Sequence, residues 1–125
     1  MSRERLTLGD RGEELAVGHL RKLGYRILCR NYRRREGEID IVAEDGAVLV
    51  FVEVKTRSGV SCGDPLEAVT PRKRGQIART AMRYLAENDC HDRPARFDVL
   101  GVTIQEGGTC SLQLVRDAFS LDMDG

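Results

Sequence analysis

Four charged residues that could bind a metal or act on a phosphate lie in two short segments, Glu38 and Asp40 in the first and Glu53 and Lys55 in the second. Carboxylate oxygens are the ligands that Mg²⁺ and Mn²⁺ prefer, and a lysine beside them supplies fixed positive charge. Residues two apart on a strand point to the same side, so each pair shares a face. The spacing therefore predicts a divalent-metal site, and a set of surface ion pairs is the alternative that it leaves open.

The two segments read as the strands of a hairpin, EIDIVAE and AVLVFVEVK, with Asp45-Gly46 as a two-residue turn. This turn would place Asp40 opposite Phe51 and Glu38 opposite Glu53, with an apolar set of side chains that includes Ile39 and Ile41 on the other face. Directly opposed carboxylates destabilise a sheet unless a cation lies between them. We therefore expect a cation at the open end of the hairpin.

The helix predicted over residues 10 to 23 supplies a further carboxylate. Its apolar residues gather on one side, and Glu13 falls close to the centre of that side, whereas Glu14 points to the polar side. A carboxylate at the buried edge of a helix needs a partner, because leaving it desolvated and alone is costly. Glu13 is thus a candidate metal ligand or an orienter of the attacking water.

Two basic segments could contact phosphates. Seven basic residues and no acidic one lie between positions 21 and 35, among them Arg33, Arg34 and Arg35. A second helix, capped by Thr70 and Pro71, begins with Arg72, Lys73 and Arg74, of which Lys73 lies one turn before Ile77 and should face the sheet. Such residues can follow a nucleic-acid backbone, and a solvated charged surface is the alternative reading.

Hydrophobic patterning predicts the elements that carry these residues. The order is helix, three strands, helix to about Asn88, and two strands, RFDVLGVTI and SLQLV. This order is typical of an α/β fold with a mixed sheet of about five strands flanked by helices. The 125 residues are expected to form a single domain, with a mobile loop at 57–64 and a short polar tail at 120–125.

Composition narrows the class of protein. The chain is 41% hydrophobic and 32% charged with zero net charge, and it has neither a signal-peptide core nor an apolar run long enough to span a bilayer. The cytoplasm is therefore the expected compartment, without a membrane partner. The four cysteines form no CxxC pair, and His19 and His91 belong to no recognisable Ser/His/Asp or Cys/His set. We expect reduced thiols and neither a zinc site nor a disulfide.

The blocks GEIDIVA and FVEVKTR, with a preceding GEELA helix and the following DPLEAVTPRK and RFDV, resemble the YraN family of bacterial proteins. That family is related to archaeal Holliday junction resolvases and to the PD-(D/E)XK, or restriction-endonuclease-like, nuclease superfamily. The resemblance implies that Asp40 and Glu53 bind Mg²⁺ or Mn²⁺, with help from the Val54 carbonyl. It also implies that Lys55 acts on the attacking water and that Glu13 is the first-helix acidic residue. Ile39 stands where the nominal motif has proline.

The function expected from this resemblance is metal-dependent endonuclease activity on DNA, including branched or junction DNA. Two other functions stay open. One is a nucleic-acid-binding module that keeps the fold but cleaves little or not at all. The other is a partner-binding protein, a homodimer like the resolvases, in which the carboxylates only set strand register.

Overall fold

The computed structural model describes residues 7–59, 65–108 and 110–120. The elements are, in chain order, α1 (Leu8–Lys22), β1 (Arg26–Arg34), β2 (Gly37–Asp45), β3 (Val48–Ser58), a 3₁₀ turn (Pro65–Ala68), α2 (Pro71–Glu87), β4 (Ala95–Ile104) and β5 (Cys110–Phe119). The predicted α/β class and the predicted order of helices and strands are confirmed. Neither α-helix in the described ranges is both long and apolar enough to cross a membrane.

The five strands form one sheet in the order β1-β2-β3-β4-β5. Neighbouring strands are antiparallel except for β3 and β4, which are parallel. Parallel neighbours need a long crossover, and α2 lies in the segment that connects these two strands. The sheet is therefore mixed, as predicted, with the parallel pair at its centre.

Each face of the sheet packs against one helix. Ala16, Val17 and Leu20 of α1 pack with one set of buried strand residues, whereas Ile77 and Leu85 of α2 pack with the other. Because both faces are buried, β2 and β3 are apolar on both sides over most of their length. Apart from Glu44 and Asp45 beside the turn, the charged side chains of the hairpin lie toward its open end.

The turn of the β2–β3 hairpin differs from the predicted one. Asp45 pairs with Val48, so Gly46 and Ala47 form the two-residue loop, and Gly46 has a φ of 62°. Glycine at the first central position is the requirement of a type II′ turn, which fits the twist of a hairpin. The predicted Asp45-Gly46 turn is wrong by one position in the chain, which changes the strand register by two residues. A change of two preserves the face of every side chain.

The start of α2 follows its predicted signal, whereas the cap of α1, which begins at Leu8 rather than at residue 10, was not predicted. Thr7 forms a capping box with Asp10 at the start of α1, and the Thr70 hydroxyl accepts a hydrogen bond from the Lys73 N–H at the start of α2. The apolar stripe of α2 is narrower than predicted, since Met82 is exposed.

Two predicted segments fall at the limits of the described ranges. Positions 57 and 58 of the predicted mobile loop are instead the last two residues of β3. Positions 60–64 lie outside the described residues. Of the predicted polar tail, only Ser120 is described, and it follows the end of β5 directly.

Candidate functional site

Asp40 lies where β2 separates from β3. The paired residues end at Ile41 and Val52, and beyond them the Val54 N–H donates to Asp40 Oδ2 at 2.8 Å. The Asp40 side chain thus replaces a backbone acceptor. The alternation of β2 also breaks here, because Ile39 packs on the α2 side and Ile41 on the α1 side. The predicted common face for these two isoleucines is therefore wrong.

The carboxyl groups of Asp40 and Glu53 are in hydrogen-bond contact, which is the juxtaposition that the sequence predicted. Burial, followed by the negative charge of Asp40, raises the pKa of Glu53 to about 8. Burial also raises the pKa of Asp40, although the hydrogen bond from Val54 opposes this change. Two partly buried carboxylates in contact form a position where a cation is favoured.

Lys73 supplies part of that positive charge from α2. Its ammonium nitrogen lies 3.6 Å from Glu53 Oε2, and this contact lowers the Glu53 pKa against the larger effect of burial. The predicted inward orientation of Lys73 is confirmed. The lysine side chain is 41% exposed, so solvent weakens the ion pair.

Glu13, Asp40 and Lys55 line one cleft of about 260 Å³, together with Gly9, Asp10, Val54 and Thr56. The cleft lies between the start of α1 and the part of β3 that β2 no longer covers. Glu53 adjoins Asp40 from the α2 side. The structure therefore brings together all four predicted catalytic residues from three separate elements.

Glu13 is held by two residues of β1 that sequence reasoning did not connect with it. Its Oε1 atom accepts hydrogen bonds from Arg30 at 2.9 Å and from Asn31 at 3.0 Å. Asn31 has a φ of 54°, in the left-handed region that asparagine adopts more readily than most other non-glycine residues. Glu14 also binds Arg30 but is 58% exposed, against 16% for Glu13, so the predicted difference between the two glutamates is confirmed.

Gly12 was also missed, although it sets the distance between α1 and β3. A Cβ atom at this position would lie 1.9 Å from Thr56 Oγ1, which is far inside contact distance. Glycine in a helix interior is unfavourable by about 1 kcal/mol relative to alanine, and that is the signal that could have identified it. The close approach lets Glu13, one residue later, reach the cleft.

The predicted phosphate-binding arginines of β1 are partly engaged within the protein. Arg33 forms an ion pair with Glu38 at 2.9 Å, and Arg34 forms one with Glu87 at the same distance. Arg35 is exposed in the turn between β1 and β2, and Arg72 is exposed in the first turn of α2. The basic segment is thus less strongly positive than its sequence suggests.

A second buried carboxylate, Asp98, belongs to a different cluster. It is fully buried, and it accepts hydrogen bonds from the Tyr25 hydroxyl, the Arg96 guanidinium and the Asp117 N–H. Its charge is thereby compensated, which is the usual condition for a buried carboxylate. Asp98 therefore holds β4, β5 and the start of β1 together.

The donor set fits a Mg²⁺ ion that is only partly coordinated by protein. No group of three or more aspartate, glutamate, histidine or cysteine side chains in the described ranges is arranged to enclose a metal ion. Mg²⁺ commonly takes one or two carboxylates and completes its octahedron with water and substrate phosphate. Asp40 and Glu53 meet that requirement, and a contribution from the Val54 carbonyl stays a prediction. Cys29, Cys90 and Cys110 are free thiols, and Cys62 lies outside the described residues.

Sequence comparison assigns the family. The sequence model described as "Uncharacterised protein family UPF0102" matches residues 12–102. A UPF0102 protein of Pelobacter propionicus is 49% identical over 90% of this chain and 82% of its own length. A UPF0102 protein of Geobacter sulfurreducens is 48% identical over 91% of this chain and 89% of its own length. One of Rhodococcus opacus is 46% identical over 91% of this chain and 97% of its own length. The chain therefore belongs to the UPF0102 family, which is the YraN family that its motifs resemble.

Proposed function

We propose that this protein is a metal-dependent endonuclease that hydrolyses phosphodiester bonds in DNA, including branched or junction DNA. The observation that carries the proposal is the contact between the partly buried carboxyls of Asp40 and Glu53, beside an open cleft that Lys55 and Glu13 line. The resemblance to the PD-(D/E)XK nucleases, with the same residue types in the same order, supports it. The cytoplasm remains the proposed compartment.

Each residue has a role that follows from its position. Asp40 and Glu53 would hold Mg²⁺ or Mn²⁺, which when bound would polarise the phosphate and lower the pKa of a water molecule. Lys55 places a positive charge in the cleft, where negative charge grows on the phosphate during attack. Glu13 can accept a hydrogen bond from the attacking water and so orient it.

A purely structural role explains the carboxylates less well. Burial raises the pKa of both groups, so the folded chain is less stable than it would be with uncharged residues of similar shape. The ion pair between Lys73 and Glu53 compensates for part of this cost only. Charged residues that reduce stability at a cleft are characteristic of functional sites.

The binding module without efficient cleavage is the second candidate function. It is favoured by the Lys73 ammonium, which already occupies one side of Glu53 and could substitute for a metal ion. The homodimer that the family resemblance implies remains a prediction under either function. Cleavage and binding measurements on the same samples distinguish these two candidates.

The first test is a cleavage panel of single-stranded, duplex, flap and four-way DNA with Mg²⁺, Mn²⁺ or EDTA. We expect metal-dependent cleavage by the wild-type protein and none by Asp40→Asn or Glu53→Gln, because each variant removes one metal ligand. The matched control is Glu38→Gln. Glu38 lies on β2, as Asp40 does, but its carboxylate binds Arg33 at the surface. Cleavage by this variant should therefore persist.

Calorimetric titration with Mg²⁺ on the same proteins gives an independent measurement. The wild type and Glu38→Gln should bind the ion, whereas the two site variants should not. Equal cleavage by all proteins would indicate a contaminating nuclease and contradict the proposal. DNA binding without cleavage by the wild type would favour the binding module instead.

A further inference from the structure

The two outer strands of the sheet, β1 and β5, are protected to very different degrees. An outer strand has a row of backbone N–H and C=O groups without a strand partner, and another chain can pair with it there. β1 carries four arginines, and its register with β2 shifts between Ile27 and Cys29. Charge and irregular pairing both prevent a strand from adding a neighbour. β1 is therefore a protected edge.

β5 lacks this protection over its first six residues. The residues from Cys110 to Val115 pair with those from Ile104 to Val99 without a shift in register. The segment reads CSLQLV and contains no charged residue, glycine or proline. No strand in the described ranges pairs with its outer side. Short uncharged segments of this composition readily pair with copies of themselves.

The apolar side chains of the same segment are incompletely covered. Leu112 and Leu114 lie on the α1 face of the sheet, opposite Val102 and Leu100 of β4. The two β4 residues are buried, whereas the two leucines of β5 are only partly buried. The difference arises because α1 packs over β3 and β4. β5 is thus left with apolar surface on the side away from β4.

A groove of about 260 Å³ lies between α1 and β5. It is lined by Leu15 of α1 and by Cys110 and Leu112 of β5, together with Gly18 and three polar residues of α1. Because β5 is the outermost strand, the groove borders the unpaired edge. Backbone groups and apolar side chains are therefore open to a partner at the same place.

A second copy of β5 fits this edge because the segment is complementary to itself. When two identical strands pair in antiparallel fashion about a two-fold axis normal to the sheet, every side chain keeps its face. Apolar side chains then meet apolar ones, and the exposed Ser111 and Gln113 meet polar ones on the other face. An axis at Gln113 sets Leu112 opposite Leu114 of the second copy. No like charges oppose each other there.

We propose that two copies of this chain pair through β5 about a two-fold axis at Gln113, which joins the two five-stranded sheets into one continuous sheet. Backbone hydrogen bonds between the two strands would hold the copies together, as in strand addition generally. Leu114 of the second copy would cover Leu112 beside the groove and so remove apolar surface from water. This association needs neither a metal ion nor nucleic acid, so it stands or falls independently of the proposed nuclease activity.

The test measures the oligomeric state by sedimentation equilibrium over a range of protein concentrations. The wild type should be a dimer. Gln113→Lys and Gln113→Glu each place two like charges side by side at the axis, so each variant alone should dimerise at least about tenfold more weakly. An equal mixture of the two variants should recover association, because the charges that meet are then opposite.

The matched control is Gln76→Lys, the same change at an exposed residue of α2. Gln76 lies beside Gly37 of β2, which is three strands away from β5, so dimerisation should equal that of the wild type. Unfolding temperatures of all variants exclude loss of fold as the cause.

Amide hydrogen exchange gives a second measurement of the same contact. The N–H groups of β5 that point away from β4 should be protected in the concentrated wild type and should exchange faster on dilution. A wild type that stays monomeric at every concentration would overturn the inference. So would a dimer that both Gln113 variants form as tightly as the wild type, since another surface would then join the copies.

Discussion

At the scale of single residues, Glu87 shows how charges outside the site stabilise the fold. Its carboxylate accepts hydrogen bonds from Tyr32 at 2.6 Å, Arg34 at 2.9 Å and Arg83 at 3.0 Å. These bonds, with that from Arg34 the strongest, lower the pKa of Glu87 to about 2. They join the edge strand β1 to the last turn of α2. Arg34, predicted to bind nucleic acid, therefore has a structural role here as well.

This cluster predicts an acid-dependent loss of stability. A carboxylate with a lowered pKa stabilises the folded state above its ordinary pKa of 4.5, and that contribution is lost as the pH falls toward about 2. The wild type should be more stable than Glu87→Gln at neutral pH, and the difference should shrink below pH 4.5. Urea unfolding midpoints of both proteins across this range measure it. A difference that stays constant with pH would contradict the prediction.

At the scale of elements, the position of α1 determines whether the cleft exists. The helix contacts β3 through Gly12 and Thr56, and its Glu13 is held by Arg30 and Asn31 from β1. Three elements thus meet at the first turns of one helix. A side chain at Gly12 would push α1 away from the sheet and move Glu13 away from Asp40.

Two glycines of α1 give a matched pair of substitutions. Gly12→Ala should lower the free energy of unfolding by about 1–3 kcal/mol, because its methyl group overlaps Thr56. Gly18→Ala, with nothing within 4 Å of the new Cβ, should raise it by up to about 1 kcal/mol through helix propensity. Urea denaturation of both variants measures the two changes. Equal effects would show that Gly12 does not set the helix position.

At the scale of the whole molecule, zero net charge hides an uneven distribution. One end of the sheet is formed by the last residues of β1, β3 and β4 and the first residues of β2. The register shows this, since Arg34 pairs with Gly37 and Ser58 pairs with Ile104. Basic residues lie toward this end of the sheet, as does the cleft that Glu13, Asp40 and Lys55 line. They include Arg33, Arg35, Lys55 and Arg57. Glu36, Glu38, Asp40 and Glu53 lie toward the same end, so a polyanion would meet these basic side chains beside carboxylates and not on a uniformly positive surface.

The distribution predicts the effect of removing charge from β1. Arg33→Ala combined with Arg34→Ala should weaken DNA binding and reduce its salt dependence, as expected from the sequence. The control is Arg21→Ala combined with Lys22→Ala. It removes the same amount of charge from the last turn of α1, whereas the cleft lies at the start of that helix. Binding isotherms at several salt concentrations measure both. An unchanged salt slope in the first double variant would exclude β1 from the interface.

Much of the fold was predictable because it depends on short-range periodicity and local caps. The helices, the five strands and their order followed from apolar spacing, and Thr70-Pro71 marked the start of α2. The grouping of Asp40 with Glu53 was also predictable, since an error of two residues in register leaves every side chain on its face. The difference between Glu13 and Glu14 followed from helical geometry alone.

Tertiary structure decided what depends on contacts between distant segments. The turn at Gly46 shifted the hairpin by two residues, and the separation of β2 from β3 at Asp40 broke the alternation that placed Ile39. Long-range contacts were likewise not predictable: Glu13 binds Arg30, Glu53 binds Lys73, and Gly12 approaches Thr56. Periodicity assigns a side chain to a face but does not specify which element packs there, because that choice is made by the packing of the whole sheet.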